Sequence, residues 1–108
     1  MAATPQEILK MEQDIILTLK TIYDPEIPVN IYDLGLIYEI DVAPEGVADI
    51  RMTLTAPNCP MADMLLEDIN TPVRKVEGIT DVNVILTFEP PWNKEMITEE
   101  AKLELGFL

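Results

Sequence analysis

The 108-residue chain has a single cysteine, Cys59, set between Pro57 and Pro60, and no histidine at all. Cys59 is therefore the one strong soft nucleophile or soft-metal ligand available. Pro60 suits the first position of a helix, which places Cys59 at the N-cap. There the orphan backbone N–H groups and the positive end of the helix dipole favour a thiolate. A thiol so placed has a lowered pKa and becomes reactive or metal-binding. Asp63, four residues on, opposes that shift. The alternative is a buried, inert cysteine, the commonest setting for a free thiol. One thiolate completes neither a zinc site nor an iron–sulfur cluster. A metal role for Cys59 thus requires a second subunit, a partner, or acidic side chains. Glu26 and Asp33, from a second proline-rich segment, are the candidate acids. Asp33 has an equally simple local role, bracketing its own loop through backbone hydrogen bonds, and so has Asp24. Glu26 has no evident local role, and its alternative is a solvated side chain.

The rest of the composition narrows the chemistry. Without His there is no histidine general base, no Ser-His-Asp triad and no imidazole metal ligand. With one Cys there is no intramolecular disulfide and no Cys-x-x-Cys redox pair. Twenty acidic residues against seven basic ones give a net charge of -13, which argues against nucleic acid or an anionic membrane as the main partner. No Gly-rich nucleotide signature is present. No apolar run approaches the roughly 18–20 residues of a membrane span, and residues 1–6 lack the pattern of a secretory signal. The expectation is one small domain over residues 1–108 in the cytoplasm, where a free thiol suits the reducing conditions.

The elements that must position these residues are readable in outline. Thr4-Pro5-Gln6-Glu7 is a capping box with Pro at the first helical position. Ile8, Met11, Ile15, Leu19 and Ile22 follow at helical spacing, with Leu9 and Ile16 widening the stripe. Asp24 before Pro25 predicts a stop near Tyr23. Residues 24–35, broken by Pro25 and Pro28, read as an irregular but apolar loop that packs onto the domain. Leu36 to Val42 and Ala48 to Leu54 alternate as strands about the Ala43-Pro44-Glu45-Gly46 turn, predicting an antiparallel hairpin. Met61, Leu65, Ile69, Val73 and Val76 predict a second helix, with a kink or break near Asn70-Thr71 because of Pro72. Gly78 stops it. Val82, Val84, Leu86 and Phe88 predict a third strand, ended by Glu89-Pro90-Pro91-Trp92. A last helix is expected over about Thr98 to Leu105, with Gly106 after it. Trp92 is either a lid over the core or an exposed anchor. Met61 and Met64 are either core or an adaptable contact surface. The order helix-strand-strand-helix-strand-helix, with each strand polar on one face, predicts an α+β two-layer sandwich.

Four motifs then stand in order: Asp24-Pro25-Glu26-Ile27-Pro28-Val29, Asp33-Leu34-Gly35-Leu36-Ile37-Tyr38, Thr53-Leu54-Thr55-Ala56-Pro57-Asn58-Cys59-Pro60 and Glu89-Pro90-Pro91-Trp92. Together they resemble the SufT/PaaD-like family of iron–sulfur cluster maturation proteins, from about Ile8 to Gly106. The resemblance implies an α/β sandwich like the C-terminal domain of NifU-type scaffolds, although this chain lacks their Cys-x-x-Cys. It implies an accessory role in assembling or delivering iron–sulfur clusters alongside SUF-type machinery, with assembly proteins and client apo-proteins as partners. The family's cysteine falls on Cys59, its loop acid on Asp33 and its Asp-Pro-Glu acid on Glu26. The implied cofactor is a transient cluster or iron. A homodimer would bring two thiols together. The competing expectation is a protein–protein adaptor in which Cys59 only packs. Catalysis by a Cys nucleophile is disfavoured, since no His or other evident base is available to activate it.

Overall fold

The computed structural model describes residues 3–24, 28–54 and 62–106. Helix α1 runs Pro5–Leu19 and begins with the capping box read from the sequence: Glu7 N–H donates to the Thr4 hydroxyl, and Thr4 N–H donates to the Glu7 carboxylate. Met11, Ile15 and Leu19 form its buried stripe. Leu9 does not widen that stripe; it is 56% exposed, on the outer side. The helix also ends before Tyr23. The Thr18 hydroxyl donates to the Asp14 carbonyl and the Thr21 hydroxyl to the Thr18 carbonyl, so side chains compete for the last carbonyls. Lys20 closes the helix through its N–H to the carbonyls of Ile16 and Thr18.

Strands β1 (Ile37–Val42) and β2 (Val47–Met52) form the expected antiparallel hairpin, with a register irregularity between Ile37 and Glu39. Helix α2 (Ala62–Arg74) then crosses over to β3 (Asp81–Leu86), which lies parallel to β2. Sheet order is β1-β2-β3. A crossover helix is the connection that parallel neighbours require. The break expected at Asn70-Thr71 does not form, and α2 continues through Pro72. Pro72 lies in the last turn, where the missing N–H removes one helical bond and the chain is about to leave the helix. The strand expected to reach Phe88 ends at Leu86, leaving Phe88 38% exposed.

Leu65, Ile69 and Val73 of α2 meet Ile15 and Leu19 of α1 and Ala48, Ile50 and Met52 of β2 in one core. α1 packs on β1 and α2, and α2 packs on β3. This is the α+β architecture of helices on one sheet face. A 3₁₀ turn over Lys94–Met96 was not read from the sequence; helix α3 (Glu99–Leu105) was, with Thr98 as N-cap and Gly106 closing it at φ 80°. No helix among the described residues is long and apolar enough to cross a membrane.

Candidate functional site

Asp33 lies in a loop built by its own backbone. Ile31 N–H donates to the Ile22 carbonyl, Leu34 N–H to Asn30, Gly35 N–H to Tyr32 and Leu36 N–H to Ile31. Asn30 and Asp33 bond reciprocally: Asp33 N–H donates to Asn30 Oδ1 at 2.8 Å, and Asn30 Nδ2 donates to Asp33 Oδ2 at 2.9 Å. The bracketing expected of the Asp33 side chain through backbone hydrogen bonds is made instead by Asn30, whose side-chain oxygen takes the Asp33 N–H, while the Asp33 carboxylate holds the Asn30 amide. That amide occupies one carboxylate oxygen; among the described residues Oδ1 accepts no hydrogen bond, and the side chain is half-buried.

The C-terminal segment fastens this loop at three consecutive residues. Thr98 N–H donates to the Asp33 carbonyl at 2.8 Å. The Trp92 indole N–H donates to the Leu34 carbonyl at 2.7 Å. At Gly35, φ +80°, a Cβ would strike the Met96 carbonyl oxygen and lie 2.8 Å from the Met96 Cβ, so only glycine admits this approach. Tyr38 adds a fourth link, donating from its hydroxyl to the Pro90 carbonyl at 2.6 Å. Half-buried Trp92 packs against the core. It is a lid, and its polar edge is satisfied by the loop it covers.

Glu26 and Cys59 lie outside the described residues, as does Met61. The flanks of their segments are described. Tyr23 pairs with Asn30 across a β-bridge, and Asp24 N–H donates to the Val29 carbonyl at 3.3 Å. Asn30 thus both brackets Asp33 and pairs with Tyr23. On the other side, Thr53 N–H donates to the Leu36 carbonyl at 2.8 Å. The chain thus enters residues 55–61 directly beside the residue that follows Asp33-Leu34-Gly35. The flanks of all three candidate segments converge at one end of the sheet.

Thr53 is a residue the strand alternation did not single out. It follows β2 directly, in the alternation that puts Asp49 and Arg51 on the polar side, yet it is fully buried and its hydroxyl has no hydrogen-bond partner among the described residues. A buried hydroxyl left unpaired costs about 1–3 kcal/mol. A cleft of about 390 Å³, lined by Glu7, Lys10, Glu45 and Glu77 among others, lies at the opposite end of the sheet beside the hairpin turn and includes none of the candidate residues. Among the described residues, no group of three or more Cys, Asp or Glu is arranged to hold a metal ion.

Comparison with known proteins fits this arrangement. Residues 12–86 match the family described as iron–sulfur cluster assembly protein. The chain is 59% identical over 102 residues to an Fe-S protein maturation auxiliary factor of Porphyromonas gingivalis, covering 94% of this chain and 97% of that protein. It is 38% identical over 85 residues to the Fe-S protein maturation auxiliary factor SufT of Staphylococcus aureus, covering 79% and 97%. Its fold superposes on a domain-of-unknown-function structure (DUF59) from Bacillus anthracis with a TM-score of 0.89 at 30% identity, covering 97% of this chain and 100% of that one. The motif resemblance and these matches agree: the chain belongs to the iron–sulfur cluster assembly protein family, among its SufT/PaaD-like members.

Proposed function

We propose that this protein is a cytoplasmic auxiliary factor that helps deliver iron–sulfur clusters to client apo-proteins, with Cys59 as a transient ligand of the cluster cargo or a reactive contact. Family membership supports the accessory role in cluster assembly or delivery. The observation that supports the reading of the site is the Thr53–Leu36 hydrogen bond, which holds the last described stretch before residues 55–61 against the residue that follows the Asp33-Leu34-Gly35 loop. Among the described residues Asp33 Oδ1 accepts no hydrogen bond, and Glu26 belongs to a segment whose described flanks pair as Tyr23 with Asn30 and Asp24 with Val29. A thiolate and two carboxylates are one soft and two hard donors, too few to hold a cluster stably but suited to brief handling of iron. Stable ligation requires further donors from a second copy or from a partner. The role proposed is carriage or targeting, since the chain has no histidine to serve as the usual base for a Cys nucleophile.

Substituting Cys59→Ser in cells dependent on this protein, and measuring the activity of an iron–sulfur client enzyme, tests the reading. Client activity is expected to fall while the variant accumulates at normal levels. Full client activity would overturn the role of the thiol. The adaptor reading is favoured by the outward Met64, 56% exposed at the start of α2. It predicts a Cys59 that resists iodoacetamide in the folded protein and tolerates substitution.

A further inference from the structure

The two outer strands of the sheet are treated very differently. The β1 edge carries a register irregularity at Ile37–Glu39 and acids at Glu39 and Asp41, the usual devices that stop an edge from pairing with another chain. The β3 edge carries none of them. From Val82 to Phe88 the sequence has no charge, no Pro and no Gly, and Ile85 is 48% exposed.

The hydrogen bonds show which part of this edge is open. Thr87 N–H donates inward to the Met52 carbonyl. In a parallel pair alternate residues face the partner strand, so Asn83, Ile85 and Thr87 face β2 while Val82, Val84 and Leu86 direct their N–H and C=O groups outward. Val82 is already capped. Its N–H donates to the Asp81 carboxylate, its carbonyl accepts from Asn70 Nδ2, and Arg74 pairs with Asp81 at 2.7 Å. Val84 and Leu86 have no such caps among the described residues. The open stretch lies at the carboxyl end of β3, beside the carboxyl end of β2 through the Met52–Leu86 register, and it is from that end of β2 that the chain runs on into residues 55–61.

We propose that Val84 to Phe88 is a strand-docking site for an extended segment of a partner protein, one with alternating apolar side chains and basic flanks. Main-chain bonds to Val84 and Leu86 would give the pairing, and Ile85 and Phe88 the apolar contact. Charge selects the partner. The edge itself is neutral, but it ends in Glu89 on a chain of net charge -13. Asp81 is already neutralised by Arg74, but a second copy would bring another chain of net charge -13 to the same edge, and like net charges repel. A basic-flanked strand meets Glu89 and that acidic chain favourably. The site stands on β3 alone and does not depend on the role of Cys59.

The probe is a short synthetic peptide of alternating valine and threonine flanked by lysines, titrated into the isotopically labelled full chain and followed by NMR. The expected result is amide shifts centred on Val84 and Leu86, with slowed hydrogen exchange at both. Methylating the peptide's bonding-edge nitrogens should weaken binding by about tenfold or more, since it removes the ladder bonds. A Val84→Pro protein, which loses an N–H the internal ladder does not use, should show the same loss. Replacing the flanking lysines by glutamates should also weaken it by about tenfold. Shifts that map elsewhere, or equal binding of the methylated or glutamate-flanked peptide, would overturn the proposal. So would self-association of the free protein through Val84 and Leu86.

Discussion

The Trp92 indole donates its N–H to the carbonyl of Leu34 at 2.7 Å, joining two motifs that lie far apart in the chain. Thr98 and Met96 hold the residues on either side of Leu34. The Asp33 loop is therefore fixed by the C-terminal segment, not by its local sequence alone. Trp92→Phe keeps most of the apolar area and removes the donor. It should cost about 1–2 kcal/mol, the cost of an orphaned carbonyl, measured by urea unfolding. Unchanged stability would mean that solvent satisfies Leu34 equally well.

Gly35 faces a stronger restriction. Gly35→Ala must place a Cβ at φ +80° against the Met96 backbone. The left-handed conformation alone costs a non-glycine residue about 1–2 kcal/mol, and backbone atoms cannot yield as a flexible side chain does. A loss above about 2 kcal/mol is expected, with the 3₁₀ turn at Lys94–Met96 displaced. Chemical shifts of Met96 and Thr98 that stay at their wild-type values would contradict the close approach.

Thr53 should behave in the opposite way. Its hydroxyl is buried without a partner among the described residues, so Thr53→Val exchanges an unsatisfied group for a methyl of similar shape. The variant should be as stable as wild type or more stable by about 1 kcal/mol, a rise of roughly 4–8 °C in Tm for a domain of this size. If it also lowers client activity, the hydroxyl serves the function at the expense of stability. A fall in Tm would reveal a stabilising partner of the hydroxyl.

Much of the fold was legible because its signals are local. The Thr4 box, the Met11-Ile15-Leu19 stripe, the hairpin turn and the Thr98 and Gly106 boundaries each depend on residues a few positions apart. What was not legible depends on distant partners. Nothing near Thr53 announces that a polar-side strand residue will be sealed off. Nothing near Asp33 announces that Thr98 will hold its carbonyl. Leu9 fits the helical period as well as Ile8 does, and only the position of the sheet decides which is covered. Pro72 signals a break by its chemistry, but its place in the final turn makes the defect small. At the site, the motif order pointed to Asp33, and the bracketing role read for it is formed by Asn30. The pairing of Asp33-Leu34-Gly35 with Glu89-Pro90-Pro91-Trp92 was present only as two motifs in one chain, and their contact is what the fold adds.

The capping box gives a pH dependence with a defined sign. The Thr4 backbone N–H, followed by its hydroxyl, holds the Glu7 carboxyl below the ordinary carboxylate value. A group with a depressed folded pKa contributes stability above its unfolded pKa and loses it as pH falls through the folded one. The Tm difference between wild type and Glu7→Gln should therefore be present at neutral pH and shrink in acid, below the usual carboxylate range. A difference that grew on acidification would contradict the assignment.

Asp33 offers the sharpest separation of structure from function. Asp33→Asn keeps an oxygen to accept from Asn30 Nδ2 and leaves the two backbone bonds in place, so it should lose no more than about 1 kcal/mol. Asp33→Ala removes the acceptor and leaves the Asn30 amide without its partner, for a loss of about 1–3 kcal/mol. If Asp33 serves only its loop, client activity in cells will follow stability, and Asp33→Asn will be nearly wild type. If the negative oxygen of Asp33 contributes to handling iron, Asp33→Asn will lose activity while its unfolding curve overlays that of wild type. The second outcome is expected, because Asn30 engages Oδ2 and, among the described residues, Oδ1 accepts no hydrogen bond.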